Sequence, residues 1–83
     1  MNILLYLSPI CPYSHSVKTF LTEKGVPFHP IDVSTDDRQL KRMIQISNQI
    51  GVPVTSINNR VVVGMNQSEL ERIIGEEQAK EST

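Results

Sequence analysis

The residues best equipped for chemistry stand together at Cys11-Pro12-Tyr13-Ser14, and Cys11 is the one cysteine of the chain. A thiol becomes a nucleophile when it ionises, so its surroundings decide its use. Pro12 suits the first turn of a helix, where its missing N–H is not needed. Cys11 is therefore expected at a helix N-terminus, where free N–H groups and the helix dipole favour negative charge. Cysteines so placed have pKa values lowered from about 8.5 toward roughly 3.5–7.5. Lys18, about two turns further on, adds a weak positive field. A free cysteine at an arbitrary position is more often a small buried hydrophobe. The place beside Pro12 favours the reactive reading. With one cysteine no internal disulfide forms. His15 and His29 stand at no recognised ligand spacing from Cys11, so no metal site is expected. His15 is read as a solvated residue rather than a general base, and His29 as structural.

The elements that position this motif follow from hydrophobic spacing. Ile3-Leu4-Leu5-Tyr6-Leu7 is a continuous apolar run, within a strand read over residues 2–7, that ends at Ser8-Pro9. Such a run predicts a central strand covered on both faces. A helix follows, with Val17, Phe20 and Leu21 on its buried face, Gly25 as its C-terminal cap and Pro27 blocking continuation. Residues 28–33 predict a second strand, and Pro30 assigns it to a sheet edge. Ser34-Thr35-Asp36-Asp37 opens a second helix over about 36–47, with Leu40, Met43 and Ile44 inward. Val54 to Ile57 and Val61 to Val63 predict a hairpin whose turn, Asn58-Asn59, tolerates positive φ. Asn66, with Glu69 three residues on, caps a third helix whose inner face is Leu70, Ile73 and Ile74.

The predicted fold class is α/β: β-α-β-α-β-β-α, with a mixed four-stranded sheet flanked by three helices. The first two strands are parallel through a right-handed crossover. Residues 1–75 are read as a single domain, and 76–83, which lack apolar periodicity, as a frayed C-terminal tail.

Composition narrows the function. The 83 residues carry 8 Lys plus Arg against 9 Asp plus Glu, a net charge of −1. A nucleic-acid binder needs a basic surplus to neutralise phosphates, so none is expected as a partner. The apolar run near the start is far too short to span a bilayer, and no signal peptide is recognisable. The expected setting is the cytoplasm, without membrane association. Arg38, Lys41 and Arg42 form a small basic helix face, read as solvated. No exposed apolar stripe predicts a dimer, so a monomer is expected.

Three motifs in order carry a family resemblance: Ile-Cys-Pro-Tyr-Ser after a strand, Gly-Val-Pro-Val before a hairpin, and Val-Gly-Met-Asn-Gln before the last helix. Together they resemble a glutaredoxin of the thioredoxin fold, over residues 2 to about 74, and segment 47–67 is similar to that of small bacterial glutaredoxin-like proteins. The resemblance implies that Cys11 is the catalytic nucleophile within the motif completed by Pro12, Tyr13 and Ser14, and that Tyr13 shields one side of a bound disulfide. It implies that Pro53 is cis and that the Val52 backbone faces the thiol, ready to pair with an incoming peptide. The implied substrate and glutathione site comprises Tyr13, Gln49, Val52, Pro53, Gly64, Asn66 and Gln67.

Departures from the family pattern define the expected reaction. Ser14 replaces the second cysteine, as a native or an engineered residue, so no resolving thiol exists and a monothiol cycle remains. Ser8 stands in place of a lysine, Gly51 in place of a threonine, and Gln49 in place of an arginine common in relatives. Val63 replaces the first of two paired glycines, and Asn66 and Gln67 replace acidic residues. Glutathione thereby loses charge-assisted hydrogen bonds at both its carboxylates and its amine. The expected function is thiol-disulfide exchange on glutathione mixed disulfides, with glutathione as a consumed co-substrate, no obligatorily bound cofactor, and glutathionylated or disulfide-containing proteins as partners. Two alternatives share the resemblance. One is a [2Fe–2S]-binding glutaredoxin, disfavoured by Pro12-Tyr13 where such proteins carry Gly-Phe. The other is a redox-silent peptide-binding module using the Pro53 groove.

Overall fold

In the computed structural model, which describes residues 1–81, the chain runs β1 (Ile3–Leu7), α1 (Pro12–Lys24), β2 (His29–Asp32), α2 (Asp37–Ser47), β3 (Val54–Ile57), β4 (Arg60–Val63) and α3 (Gln67–Glu81). The sheet order is β2-β1-β3-β4. Strand β1 pairs in parallel with β2 and antiparallel with β3, which forms an antiparallel hairpin with β4. The apolar run is thus a central strand, and Pro30 lies on an edge strand where a missing donor is tolerated. No helix among the described residues is long and apolar enough to cross a membrane.

Side chains alternate across the sheet, so β1 feeds two cores. Ile3 and Leu5 join Val17 and Leu21 of α1, Ile57 and Val62 of the hairpin, and Leu70, Ile73 and Ile74 of α3. Tyr6 on the opposite face packs with Val33, Val54 and Met43, under α2. Burying each such aliphatic side chain contributes about 1.5–3 kcal/mol. The punctuation between elements also follows the sequence. Gly25 (φ 73°) ends α1 and Asn48 (φ 59°) ends α2, both left-handed. The Asp36 side chain caps α2 by accepting from the N–H groups of Arg38 and Gln39, at 3.1 and 3.2 Å. Asn58 and Asn59, with φ of 49° and 71°, make the hairpin turn. Asn66 accepts from the Glu69 N–H at 3.2 Å, but the Glu69 carboxylate pairs with Arg72 instead of closing the capping box.

One expectation is corrected. Residues 76–81, read as a frayed tail, continue α3 as regular helix, so the folded unit does not end at residue 75. Residues 82 and 83 of that expected tail lie outside the described residues. The helix persists because a carboxylate, rather than an apolar stripe, anchors it. Glu77 is only 6% exposed. It accepts hydrogen bonds from Asn58 Nδ2 at 2.8 Å and Lys80 Nζ at 2.9 Å, and from Arg60 at 3.4 Å. Arg60 also pairs with Glu76 at 2.8 Å, and the Met1 ammonium pairs with Glu81. The hairpin is thereby tied to the last turns of α3. Periodicity cannot reveal such an anchor, because its residues are charged and exposed in sequence-average terms.

These bonds, led by the one from Asn58, lower the Glu77 carboxyl from an ordinary 4.5 to about 2. A group whose pKa is depressed on folding stabilises the fold above its unfolded pKa. That stabilisation is lost as pH falls through the folded pKa, because the unfolded chain takes up the proton first. The Glu77 contribution is therefore complete above pH 4.5 and disappears toward about pH 2. Glu77→Gln is expected to lower the melting temperature near neutral pH by about 5 °C or more, on the scale for a domain this size. It should also flatten the acid limb of stability against pH. Thermal melts of both proteins across the acid range check this, and identical acid limbs would refute it.

Candidate active site

Register brings the site together. Tyr6 of β1 lies opposite Val54 of β3, so the end of β1 meets the start of β3. The segment leaving β1 carries Cys11, and the segment entering β3 carries Val52 and Pro53. The Cys11 thiol donates to the Val52 carbonyl with an Sγ to O distance of 3.8 Å. The Val52–Pro53 peptide is cis, as the resemblance implied. The Pro53 carbonyl accepts from the Gly64 N–H at 2.8 Å, which draws the end of β4 into the same cluster. Cys11, Val52, Pro53 and Gly64 are therefore joined by contacts, although they lie up to 53 positions apart in sequence.

Cys11 is the N-cap of α1, in extended conformation, and Pro12 follows at the first helical position. Its backbone N–H donates to the Ser8 carbonyl at 3.1 Å, and its own carbonyl accepts from Ser14 and His15. The side chain is half-buried. The thiol pKa is lowered from its ordinary value. The Ser14 hydroxyl is the main cause, followed by the Ser14 backbone N–H, with the Tyr13 N–H adding less and partial burial opposing. Hydrogen bonds to the thiolate thus do what the sequence assigned in part to Lys18, whose charge is not among the causes.

Ser14 is the residue whose contribution the sequence did not disclose. Read as a missing cysteine, it is in fact 1% exposed and sits beneath the thiol. Its Oγ accepts the Ser8 N–H at 3.3 Å. That leaves its single proton free to donate to the sulfur. The sequence clue was its place three residues after the N-cap, where a first-turn side chain returns toward the cap.

The remaining expected residues spread around this centre. Tyr13 is 66% exposed, and Ile10 and Ile50 are likewise exposed, on the segments flanking the thiol and Val52. Gln49 is exposed in the connection before β3. Its backbone N–H and carbonyl are held by the Ser47 hydroxyl, and it makes no bond to the thiol. Asn66 is occupied as the N-cap of α3, and the Gln67 amide donates to Glu71 at 3.4 Å. Gln67 and Met65 line a groove of about 380 Å³ between α1 and the start of α3, together with His15, Thr19, Phe20 and Glu23. Cys11 does not line that groove. His15 is exposed, and its Nε2 meets the Pro9 carbonyl at 2.7 Å, so that nitrogen carries a proton it holds for the backbone rather than for the sulfur. Among the described residues no group of three or more His, Cys, Asp or Glu side chains is arranged to hold a metal ion.

This arrangement can perform nucleophilic exchange at sulfur: a stabilised thiolate, open on one side, beside a backbone segment available for pairing. The comparisons agree with that chemistry. The glutaredoxin family model matches residues 3–62. An uncharacterized glutaredoxin-like 8.6 kDa protein in the rubredoxin operon of Clostridium pasteurianum is 33% identical over 72 residues, covering 87% of this chain and 96% of that one. Glutaredoxin 3 of Escherichia coli is 30% identical over 63 residues, 76% of each chain. The crystal structure of the glutaredoxin (grx-1) from Archaeoglobus fulgidus superposes with a TM-score of 0.82 at 26% identity, over 87% of this chain and 84% of that one. A thiol at the N-cap of α1, the Val52-Pro53 segment against it and these matches lead to one conclusion: the chain belongs to the glutaredoxin family of thiol oxidoreductases and has its thioredoxin-like fold.

Proposed function

We propose that this protein removes glutathione from mixed disulfides by a monothiol cycle carried by Cys11. The observation that supports this most directly is the lone, half-exposed thiol of Cys11, stabilised as a thiolate by Ser14 where a resolving cysteine would otherwise stand. The thiolate attacks the glutathione sulfur of a glutathionylated substrate. The substrate–glutathione S–S bond breaks, the substrate sulfur leaves as a thiolate that takes a proton from water, and Cys11 holds the glutathione as a mixed disulfide. A second glutathione thiolate attacks the glutathione sulfur of that disulfide. Oxidised glutathione leaves, and the Cys11 thiolate returns. One free glutathione thiol is thus consumed for each mixed disulfide reduced, and the other half of the oxidised glutathione comes from that disulfide, with no electron carrier on the protein.

Each residue has a place in this scheme. The Ser14 hydroxyl stabilises Cys11 both as the attacking thiolate and as the leaving group of the second step. Val52, next to the sulfur, offers its backbone to the glutathione peptide as an added strand would. The exposed apolar side chains of Ile10, Tyr13 and Ile50 are suited to cover the apolar surroundings of a substrate cysteine. The absence of Lys at position 8 and Arg at position 49 leaves backbone N–H groups to hold the glutathione carboxylates, so the expected KM for glutathione is high rather than the kcat low.

Turnover of a glutathionylated peptide, coupled through glutathione and its reductase, tests the cycle. Wild-type protein is expected to turn over, and Cys11→Ala is expected to fall to the uncatalysed background. A wild-type rate no higher than that of Cys11→Ala would refute the proposal.

A second experiment addresses Ser14. Ser14→Ala removes the main hydrogen bond to the thiolate, so the Cys11 pKa is expected to rise. The alkylation rate of Cys11 near neutral pH should fall several-fold, while the limiting rate at high pH, where the thiol is fully ionised, is retained. A rate-against-pH profile superimposable on wild type would show that the hydroxyl does not tune the thiol.

A further inference from the structure

The face of the sheet covered by α2 contains a second cavity, of about 260 Å³, lined by Leu4, Tyr6, Arg42, Ile46, Ser56, Asn59 and Val61. Its floor is a single row across three strands, because Leu4 pairs with Ser56 and Ser56 with Val61. Ile46 and Arg42, four residues apart on α2, share a flank of that helix and close the cavity above. Since α2 is eleven residues long and packs alone on this face, it leaves the Leu4 end of the sheet open.

The polar side chains lining this cavity have no partner among the described residues. Tyr6 is 1% exposed and Ser56 6%. Neither hydroxyl makes a hydrogen bond with the described residues, and the Arg42 guanidinium makes no ion pair with them. Buried hydroxyls normally find partners. Nor are these two sealed from solvent: Thr55 Oγ1 is the side-chain atom that is both inaccessible and unpartnered, and it is on the other face of the sheet. The Tyr6 and Ser56 oxygens therefore open to the cavity that their residues line. The site offers a planar cation and two hydroxyl donors above apolar walls, with the Asn59 amide at the rim.

We propose that this cavity binds the carboxylate of a short aliphatic or aromatic acid. The guanidinium and the hydroxyls take the carboxylate oxygens, and Leu4, Ile46 and Val61 enclose the apolar chain. A planar, bidentate donor matches a carboxylate. The apolar walls distinguish such an acid from a bare inorganic anion. The volume lies below the roughly 300–1,000 Å³ of sites for drug-sized ligands, which restricts the occupant to a small molecule. The site is separate from the thiol: neither Cys11 nor Val52 and Pro53 beside it is among the residues that line the cavity.

Titration of the full chain with octanoate, followed by amide proton–nitrogen NMR, tests the proposal. Saturable shifts centred on Leu4, Ser56 and Val61 are expected. Arg42→Ala should weaken the dissociation constant about tenfold and Tyr6→Phe several-fold, with the Cys11 alkylation rate unchanged in Arg42→Ala. Octanol and inorganic phosphate, each lacking one half of the recognised chemistry, should bind at least tenfold more weakly than octanoate. Absence of saturable shifts in wild type would overturn the proposal. So would octanoate affinity unaltered in Arg42→Ala, or phosphate binding as tightly as octanoate at these residues. Because Arg42 is exposed and unpaired, its substitution leaves the core intact and keeps the comparison interpretable.

Discussion

The pairing of Tyr6 with Val54 is the constraint on which the rest of the molecule depends. It fixes where the end of β1 lies against the start of β3, and so puts the thiol beside the Val52 carbonyl. It also decides which side chains enter which core. A slip of one residue would turn Leu5 and Ile3 away from α1 and α3 and drive Tyr6 into their place. Because both faces of the sheet are covered, that error would cost the burial of a whole row of side chains. Packing of the apolar core and placement of the nucleophile are therefore specified by the same ladder.

At the thiol itself, short-range hydrogen bonding outweighs net charge. Among the described residues no cationic side chain is a cause of the Cys11 shift. A buried hydroxyl and two backbone N–H groups lower its pKa, against the opposing effect of partial burial. The Val52 carbonyl accepts a hydrogen bond from the neutral thiol and has no donor to offer the thiolate. The thiol is thus held between a donor that favours ionisation and an acceptor that does not. An entering disulfide that pairs with the Val52 segment would alter the second influence and leave the first in place. Ser14 can be relied upon in this role because the Ser8 N–H occupies its acceptor side and orients it.

Much of this was legible in the sequence. The apolar run of β1, the i, i+3, i+4 patterns of α1 and α2, Pro30 at an edge and Asn58-Asn59 at a turn each follow from local rules, and each occurs where those rules put it. The nucleophile was legible for the same reason: Pro12 marks a helix start and Cys11 precedes it. What escaped the sequence depends on contacts distant along the chain or on the direction of a single proton. The Ser14 hydroxyl looks like an absence until its position under the sulfur is known. The last turns of α3 carry no apolar stripe, and only the return of the hairpin brings Asn58 and Arg60 to Glu77. The arrangement of Gln49, Asn66 and Gln67 was likewise not readable from spacing, since each is engaged by neighbours of its own.

The anchoring of Glu77 gives the molecule a mechanical polarity. At one end of the sheet a nearly inaccessible carboxylate ties the hairpin turn to the final helix, and further ion pairs reinforce it. At the opposite end Ile10, Tyr13 and Ile50 expose their side chains on the segments that flank Cys11 and Val52. Exchange at a disulfide requires three sulfur atoms to approach a common line. A scaffold tied together at its base and exposing side chains at its rim can reach that alignment by displacing those side chains alone. The sheet then serves as a fixed mount, and the adjustment demanded by substrates of different shape is confined to the few residues that meet them.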